Sequence, residues 1–188
     1  MHNWIEISSS ALRKNYNIFS KLLGEKKFIP IIKSNAYGHG LKQIYSCLKT
    51  LQPQFLGINN LAEAHKLRDL GYGNKILVCG PILTSELAEA NKLKADIIAS
   101  DFESIEKWIS LDKRPFLHLK IDTGLTRQGF LLEELETLAQ KLSCFKQETF
   151  GLMTHMACVE DINDQNYALL QVEKFYAALN TFKKSGFD

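Results

Sequence analysis

Phe28-Ile29-Pro30-Ile31-Ile32 runs directly into Lys33-Ser34-Asn35-Ala36-Tyr37-Gly38-His39-Gly40. The apolar run reads as a buried strand that delivers a lysine at its C-terminal end, and the two glycines allow the backbone to turn tightly just beyond it. Chemistry in α/β folds is concentrated at such strand ends. The spacing alone leaves two readings open: a reactive amine, or a lysine that snorkels from a strand end ahead of an ordinary turn.

Outward from this stretch, apolar strand-like runs alternate with helical periodicity. Trp4-Ile5-Glu6-Ile7 reads as a short strand, the serines at 8 to 10 can cap a helix, and Leu12, Tyr16, Phe19 and Leu23 recur at helical spacing before Gly24. After the lysine come a helix with Leu41, Ile44, Tyr45, Leu48 and Leu51 on one face, a strand at Phe55 to Ile58, and a helix stopped by Gly71. The pattern continues with strands at Ile76 to Cys79, Asp96 to Ala99, Phe116 to Ile121 and Phe150 to Thr154. Helices are expected after Thr84 or Ser85, after a capping box at Ser100 and Glu103, over about 132 to 142, and over about 165 to 184.

Strands separated by helices of this length imply parallel βαβ units. No Gly-x-Gly-x-x-Gly follows the first strand, which disfavours a dinucleotide fold, and a (β/α)8 TIM-barrel type is expected because Lys33, Arg127 and His155 all fall at strand C-terminal ends. About six barrel strands are counted where a closed barrel needs eight. The whole chain, 1–188, therefore reads as one incomplete barrel domain.

Composition excludes several classes. The 188 residues are 45% hydrophobic and 23% charged, as expected of a globular domain, and a net charge of +2 with scattered basic residues gives no footprint for nucleic acid or an anionic membrane. No apolar run approaches the roughly 18 residues a membrane span needs, and a cytoplasmic location is expected. Cys47, Cys79, Cys144 and Cys158 form no Cys-x-x-Cys pair, and His2, His65 and His118 have no ligand spacing, so no metal is expected. Cys47 and Cys79 read as packing residues. Asp122-Thr123-Gly124 has no second copy to form the carboxylate pair of an aspartic protease.

A lysine amine attacks an aldehyde only when neutral, a form favoured by desolvation and nearby positive charge. Tyr37, four residues on, is close enough in sequence for its hydroxyl to hold a phosphate beside such an aldehyde. Ile31-Ile32-Lys33-Ser34-Asn35-Ala36-Tyr37-Gly38-His39-Gly40 resembles the cofactor-lysine motif of alanine racemases. Three further stretches resemble that family in the same order: Phe55 to Ile58 with Glu63-Ala64 and Leu67-Arg68, His118 to Phe130, and Gly151 to Ala157.

The resemblance implies pyridoxal 5'-phosphate as cofactor and interconversion of L- and D-alanine, with serine as an alternative substrate, for D-alanine supply to peptidoglycan. By resemblance Lys33 holds the cofactor and handles the proton of the D-enantiomer. Tyr37 contacts the phosphate, Arg127 approaches the phenolic oxygen, and His155 lies beside the pyridine ring. Lys120 matches a lysine that is carbamylated in some members and pairs with that arginine. The family is dimeric, and its opposite-face tyrosine and a C-terminal β domain belong to a part that this chain is expected to lack. Thr126 and Gln128 depart from the small residue and hydrophobe usual in the family. Two other readings stay open, a non-catalytic pyridoxal-phosphate-binding barrel and an inactive or split-gene fragment.

Overall fold

A computed structural model describes residues 4–148 and 150–187. The chain forms two compact units, Met1–Ile97 and Ile98–Asp188.

In the first unit, Ser8 caps α1 (Ser9–Leu23) by accepting from the Ala11 N–H, and Gly24 ends it with φ 59°. Tyr16 and Phe19 of this helix pack on Phe28, with ring centroids 5.2 and 5.9 Å apart. A short helical segment α2 (Lys33–Tyr37) leads into α3 (Leu41–Leu48), which buries Leu41, Ile44, Tyr45, Cys47 and Leu48. Cys47 is thus a packing residue, as expected, whereas Cys79 is only half-buried.

Strand β1 (Phe55–Ile58) pairs in parallel with β2 (Lys75–Val78), and β2 with β3 (Ala95–Ala99). Leu56, Ile58, Ile76 and Val78 are fully buried, which is why these strands read as unbroken apolar runs rather than alternating ones. Helix α4 (Leu61–Asp69) crosses between β1 and β2, and α5 (Leu87–Lys92) between β2 and β3. Arg68 at the end of α4 gathers the loops behind the sheet, donating to the carbonyls of Tyr72 (2.6 Å), Asn74 (2.8 Å) and Leu93 (2.7 Å).

Two expected strands are corrected here. Trp4 to Ile7 forms no strand: Trp4 and Ile5 are 74% and 78% exposed, and a strand without a ladder partner has nothing to hold its backbone extended. Phe28 to Ile32 makes a single parallel bridge, Ile31 to Gly57. Pro30 offers no N–H to a ladder, and the segment is held by two bonds, Gly57 N–H to the Pro30 carbonyl (2.9 Å) and Ile32 N–H to the Gly57 carbonyl (2.7 Å). The six expected barrel positions are thus filled, among the described residues, by five regular strands and this bridge.

In the second unit, β4 (Leu117–Lys120) pairs in parallel with β5 (Gly151–Met153), His118 lying opposite Gly151 and Lys120 opposite Met153. Helix α6 (Phe102–Ile109) is capped by Asp101, not by the expected Ser100 and Glu103 pair, because the Asp101 carboxylate accepts from both the N–H and the hydroxyl of Ser104 at 2.8 Å. Trp108 is buried and donates to the Pro115 carbonyl. The helix expected over 132 to 142 begins as a 3-10 turn, Leu132–Glu134, and continues as α7 (Leu135–Lys141). Helix α8 (Asn166–Lys184) stops before Gly186, whose φ of 84° favours a residue without Cβ.

Among the described residues, no helix is long and apolar enough to cross a membrane, and no group of three His, Cys, Asp or Glu side chains is placed to hold a metal.

Candidate active site

Each unit carries part of the set singled out in the sequence, and each part follows the C-terminal end of a parallel strand or bridge. Lys33 and Tyr37 belong to the first unit; Lys120, Arg127 and His155 belong to the second.

In the first unit, the chain leaves the Ile31 bridge and immediately winds left-handed. Ser34, Asn35, Ala36 and Tyr37 take φ of 54°, 53°, 54° and 53°, and Gly38 follows at 87°. Non-glycine residues in this conformation cost about 1–2 kcal/mol each relative to a right-handed helix, and they rarely occur in succession. The turn is held by local backbone bonds, Ala36 N–H to Ile32 (2.9 Å), His39 N–H to Ala36 (3.1 Å) and Gly40 N–H to Asn35 (2.9 Å). The Asn35 side chain accepts from the Leu41 N–H at 2.8 Å, which joins the turn to the start of α3. His39 Nδ1 lies 2.9 Å from the Ala36 carbonyl, in keeping with a role in fixing the loop.

This winding has a geometric result. Lys33 is half-buried where the bridge ends, Ala36 is buried beneath the turn, and Tyr37 stands 60% exposed. One carboxylate to which the sequence assigns no role beyond its place in a matching stretch organises the segment: Glu63, 8% exposed, accepts from the Asn35 N–H at 2.6 Å and from the Asn59 N–H at 2.8 Å. Its signal in the sequence is an acid among the buried positions Leu61, Ala64 and Leu67 of α4.

In the second unit, Lys120 ends β4 and is buried at 6% exposure, whereas Arg127 is exposed on the following loop. Asp122 organises that loop: one carboxylate oxygen accepts from the N–H groups of Gly124 (2.8 Å) and Thr126 (3.1 Å). Burial raises the Asp122 pKa, but the backbone N–H groups of Gly124, Thr126, Arg127 and Leu125 together outweigh it and hold the carboxyl below its ordinary range. Thr126 takes φ 57°, a conformation that a β-branched side chain seldom adopts. The loop closes when Phe130 rejoins the strand, its N–H donating to the Lys120 carbonyl at 2.8 Å and its carbonyl accepting from the Asp122 N–H at 2.9 Å.

His155 follows β5 and is exposed, next to a buried polar network. Gln171 of α8, fully buried, donates to Thr123 Oγ1 and to the His155 carbonyl, both at 3.1 Å, and accepts from the Ala157 N–H at 2.7 Å. The hydroxyls of Thr123 and Thr154 lie 2.8 Å apart, and Thr154 donates on to the Ile121 carbonyl. Helix α8 thereby ties the loop after β4 to the loop after β5. Among the residues expected from sequence, His2 lies outside the described residues, and the cysteines at 144 and 158 are exposed.

Comparison with known proteins gives a consistent result. A family model described as the N-terminal domain of alanine racemase matches residues 7–188. The chain is similar to the alanine racemase of Fusobacterium nucleatum, 31% identical over 96% of this chain and 52% of that protein. It is 34% identical to the alanine racemase of Leptospira interrogans, over 99% of this chain and 49% of the other. The crystal structure of alanine racemase from Corynebacterium glutamicum superposes with a TM-score of 0.85 and 25% identity, covering 97% of this chain and 53% of that one. The α/β barrel class expected from the sequence follows from that likeness. The chain spans about half the length of these relatives.

Proposed function

Because the chain belongs to the alanine racemase N-terminal domain family, we propose that it forms the lysine-bearing, pyridoxal-phosphate-binding part of a cytoplasmic, homodimeric enzyme that interconverts L- and D-alanine. The observation that carries the proposal is the half-buried Lys33, placed where a parallel bridge ends and followed by a left-handed turn that leaves Tyr37 exposed. This donor set suits an aldehyde-bearing phosphate ester: a primary amine to anchor the carbonyl carbon, and a phenol one turn away to donate to a phosphate oxygen. Pyridoxal phosphate, when bound, supplies an electron sink that lowers the cost of removing the substrate Cα proton.

The chain's own residues do the rest. Lys33 anchors the group and takes or returns the proton on one face of Cα. By the family resemblance, Arg127 would supply positive charge toward the cofactor's phenolic oxygen, and Lys120, if carbamylated as in some members, would orient that arginine. By the same resemblance His155 would border the pyridine ring. Alanine is the substrate favoured, with serine, larger by one hydroxyl, as the competitor, and the D-alanine product serves peptidoglycan synthesis.

The test is reductive trapping: incubate the chain with pyridoxal phosphate, reduce with borohydride and map the labelled peptide. Label on Lys33, and its loss in Lys33→Ala, is expected. Label spread over other lysines with Lys33→Ala behaving as the parent chain overturns the reading, and a Lys33 label without any Cα–H exchange on added alanine reduces it to a binding protein.

A further inference from the structure

We propose that Glu63 is a positioning residue for Lys33, acting as a two-pronged clamp that holds the left-handed turn in place; this rests on the reading of Lys33 as the reactive amine. The turn is costly by itself. Four successive non-glycine residues adopt positive φ, and the two that follow Lys33 directly, Ser34 and Asn35, are exposed and bury little apolar surface in return. Something outside the turn must favour this winding over the right-handed alternative.

Glu63 meets that need through its geometry. Its two carboxylate oxygens are used separately, Oε1 on the Asn35 N–H at 2.6 Å and Oε2 on the Asn59 N–H at 2.8 Å. Asn59 directly follows β1, whose Gly57 forms the bridge with Ile31. The carboxylate therefore bonds the segment just after Lys33 to the strand that anchors the segment just before it. Its own placement is fixed, because Glu63 lies in the first turn of α4 with its N–H bonded to the Asn60 cap at 3.0 Å. The side chain is 8% exposed, so water competes weakly for the two donors, and N–H bonds to a carboxylate are among the stronger ones. Only an acceptor with two oxygens on a stem of this length serves both donors. Glutamine keeps one acceptor and turns an NH₂ toward the other N–H.

The clamp predicts a pattern that a general packing role does not. In Glu63→Gln, trapping of pyridoxal phosphate on Lys33 slows roughly tenfold, the factor matching the loss of one charge-assisted hydrogen bond. Amide exchange accelerates over residues 34–40, while the amides of β1 and β2 keep their protection. Adding Ser34→Gly restores the trapping rate, because glycine enters the left-handed region at little cost and less clamping is needed. Ser34→Gly alone serves as the reference for what that substitution does to trapping by itself.

The measurements are trapping rate, site-resolved amide exchange and thermal unfolding on the 188-residue chain and these three variants. Unchanged exchange over 34–40 in Glu63→Gln, or slowed trapping that Ser34→Gly fails to restore, overturns the proposal. If the parent chain itself takes no label at Lys33, the lysine reading fails separately, and amide exchange still decides whether Glu63 holds the turn.

Discussion

Gln171 Nε2 donates to the carbonyl oxygen of His155 at 3.1 Å while its Oε1 accepts from the Ala157 N–H at 2.7 Å, so one buried amide sets the path of the chain after β5. Every polar atom of that side chain is used, the third contact being Thr123 Oγ1. Replacing it with an apolar isostere strands partners that water cannot easily reach. Gln171→Leu is expected to cost on the order of 2 kcal/mol of stability, with loosened protection at residues 154–158, as measured by denaturant unfolding and amide exchange. A variant as stable as the parent would show that the network is solvated.

The Asp122 carboxyl makes the loop carrying Arg127 sensitive to acid. Burial pushes its pKa up, the backbone N–H groups of Gly124, Thr126, Arg127 and Leu125 pull it down, and the net displacement is below the ordinary value of 3.8. The unfolded chain therefore takes up this proton more readily than the folded one. The stabilisation is complete above pH 3.8 and is lost as the pH falls through the lower folded value. Asp122→Asn should be less stable than the parent at neutral pH by within about 1 kcal/mol, since the loop is partly solvated. The two proteins should converge in acid, and a constant gap at all pH values would contradict the linkage.

Gly129 is where the same loop needs a residue without a side chain. Its φ is 131°, and a Cβ there would lie 2.7 Å from the Asp122 nitrogen and 2.9 Å from the Lys120 oxygen, both backbone atoms that cannot swing aside. Gly129→Ala should cost on the order of 3 kcal/mol and break the bond from Phe130 to Lys120. Limited proteolysis is the sensitive measurement, with new cutting expected between residues 122 and 130.

Much of this was legible in the sequence because apolar runs and helical spacing report burial directly. Ile76 to Val78 and the face of α3 at Leu41, Ile44, Tyr45 and Leu48 lie where the pattern puts them. The ends were harder. Trp4 to Ile7 has strand composition, but a strand is a property of two segments, and composition does not name the second. At Ile31 composition suggests a full strand where the chain makes one bridge, because Pro30 counts as apolar while removing a ladder donor. Ser100 and Glu103 matched a capping box, yet Asp101, one residue on, offers a stronger acceptor. The left-handed turn could not be read at all, since Ser34, Asn35, Ala36 and Tyr37 have no shared preference for positive φ. Glu63 and Gln171 sit on buried helix faces, where a polar residue is conspicuous by periodicity, but their partners are backbone groups distant in sequence.

The proposed roles also predict what the 188-residue chain does with substrate. Exchange of a Cα proton needs one base and the electron sink, whereas inversion needs a second group on the opposite face. Lys33 is the base proposed for one face. By the family resemblance the other is a tyrosine from the second half of the relatives' length, and this chain spans about half of them. A positioned acid or base contributes about 10²–10⁴ in rate, so its absence should raise the barrier to inversion by roughly 3–5 kcal/mol. With pyridoxal phosphate in heavy water, D-alanine should take up deuterium at Cα faster than it inverts, and Lys33→Ala should abolish the uptake. L-alanine should exchange more slowly, because its proton leaves from the face that Lys33 does not reach. Inversion at the same rate as deuterium uptake, from either enantiomer, would place a second base within residues 1–188 and refute the one-sided assignment.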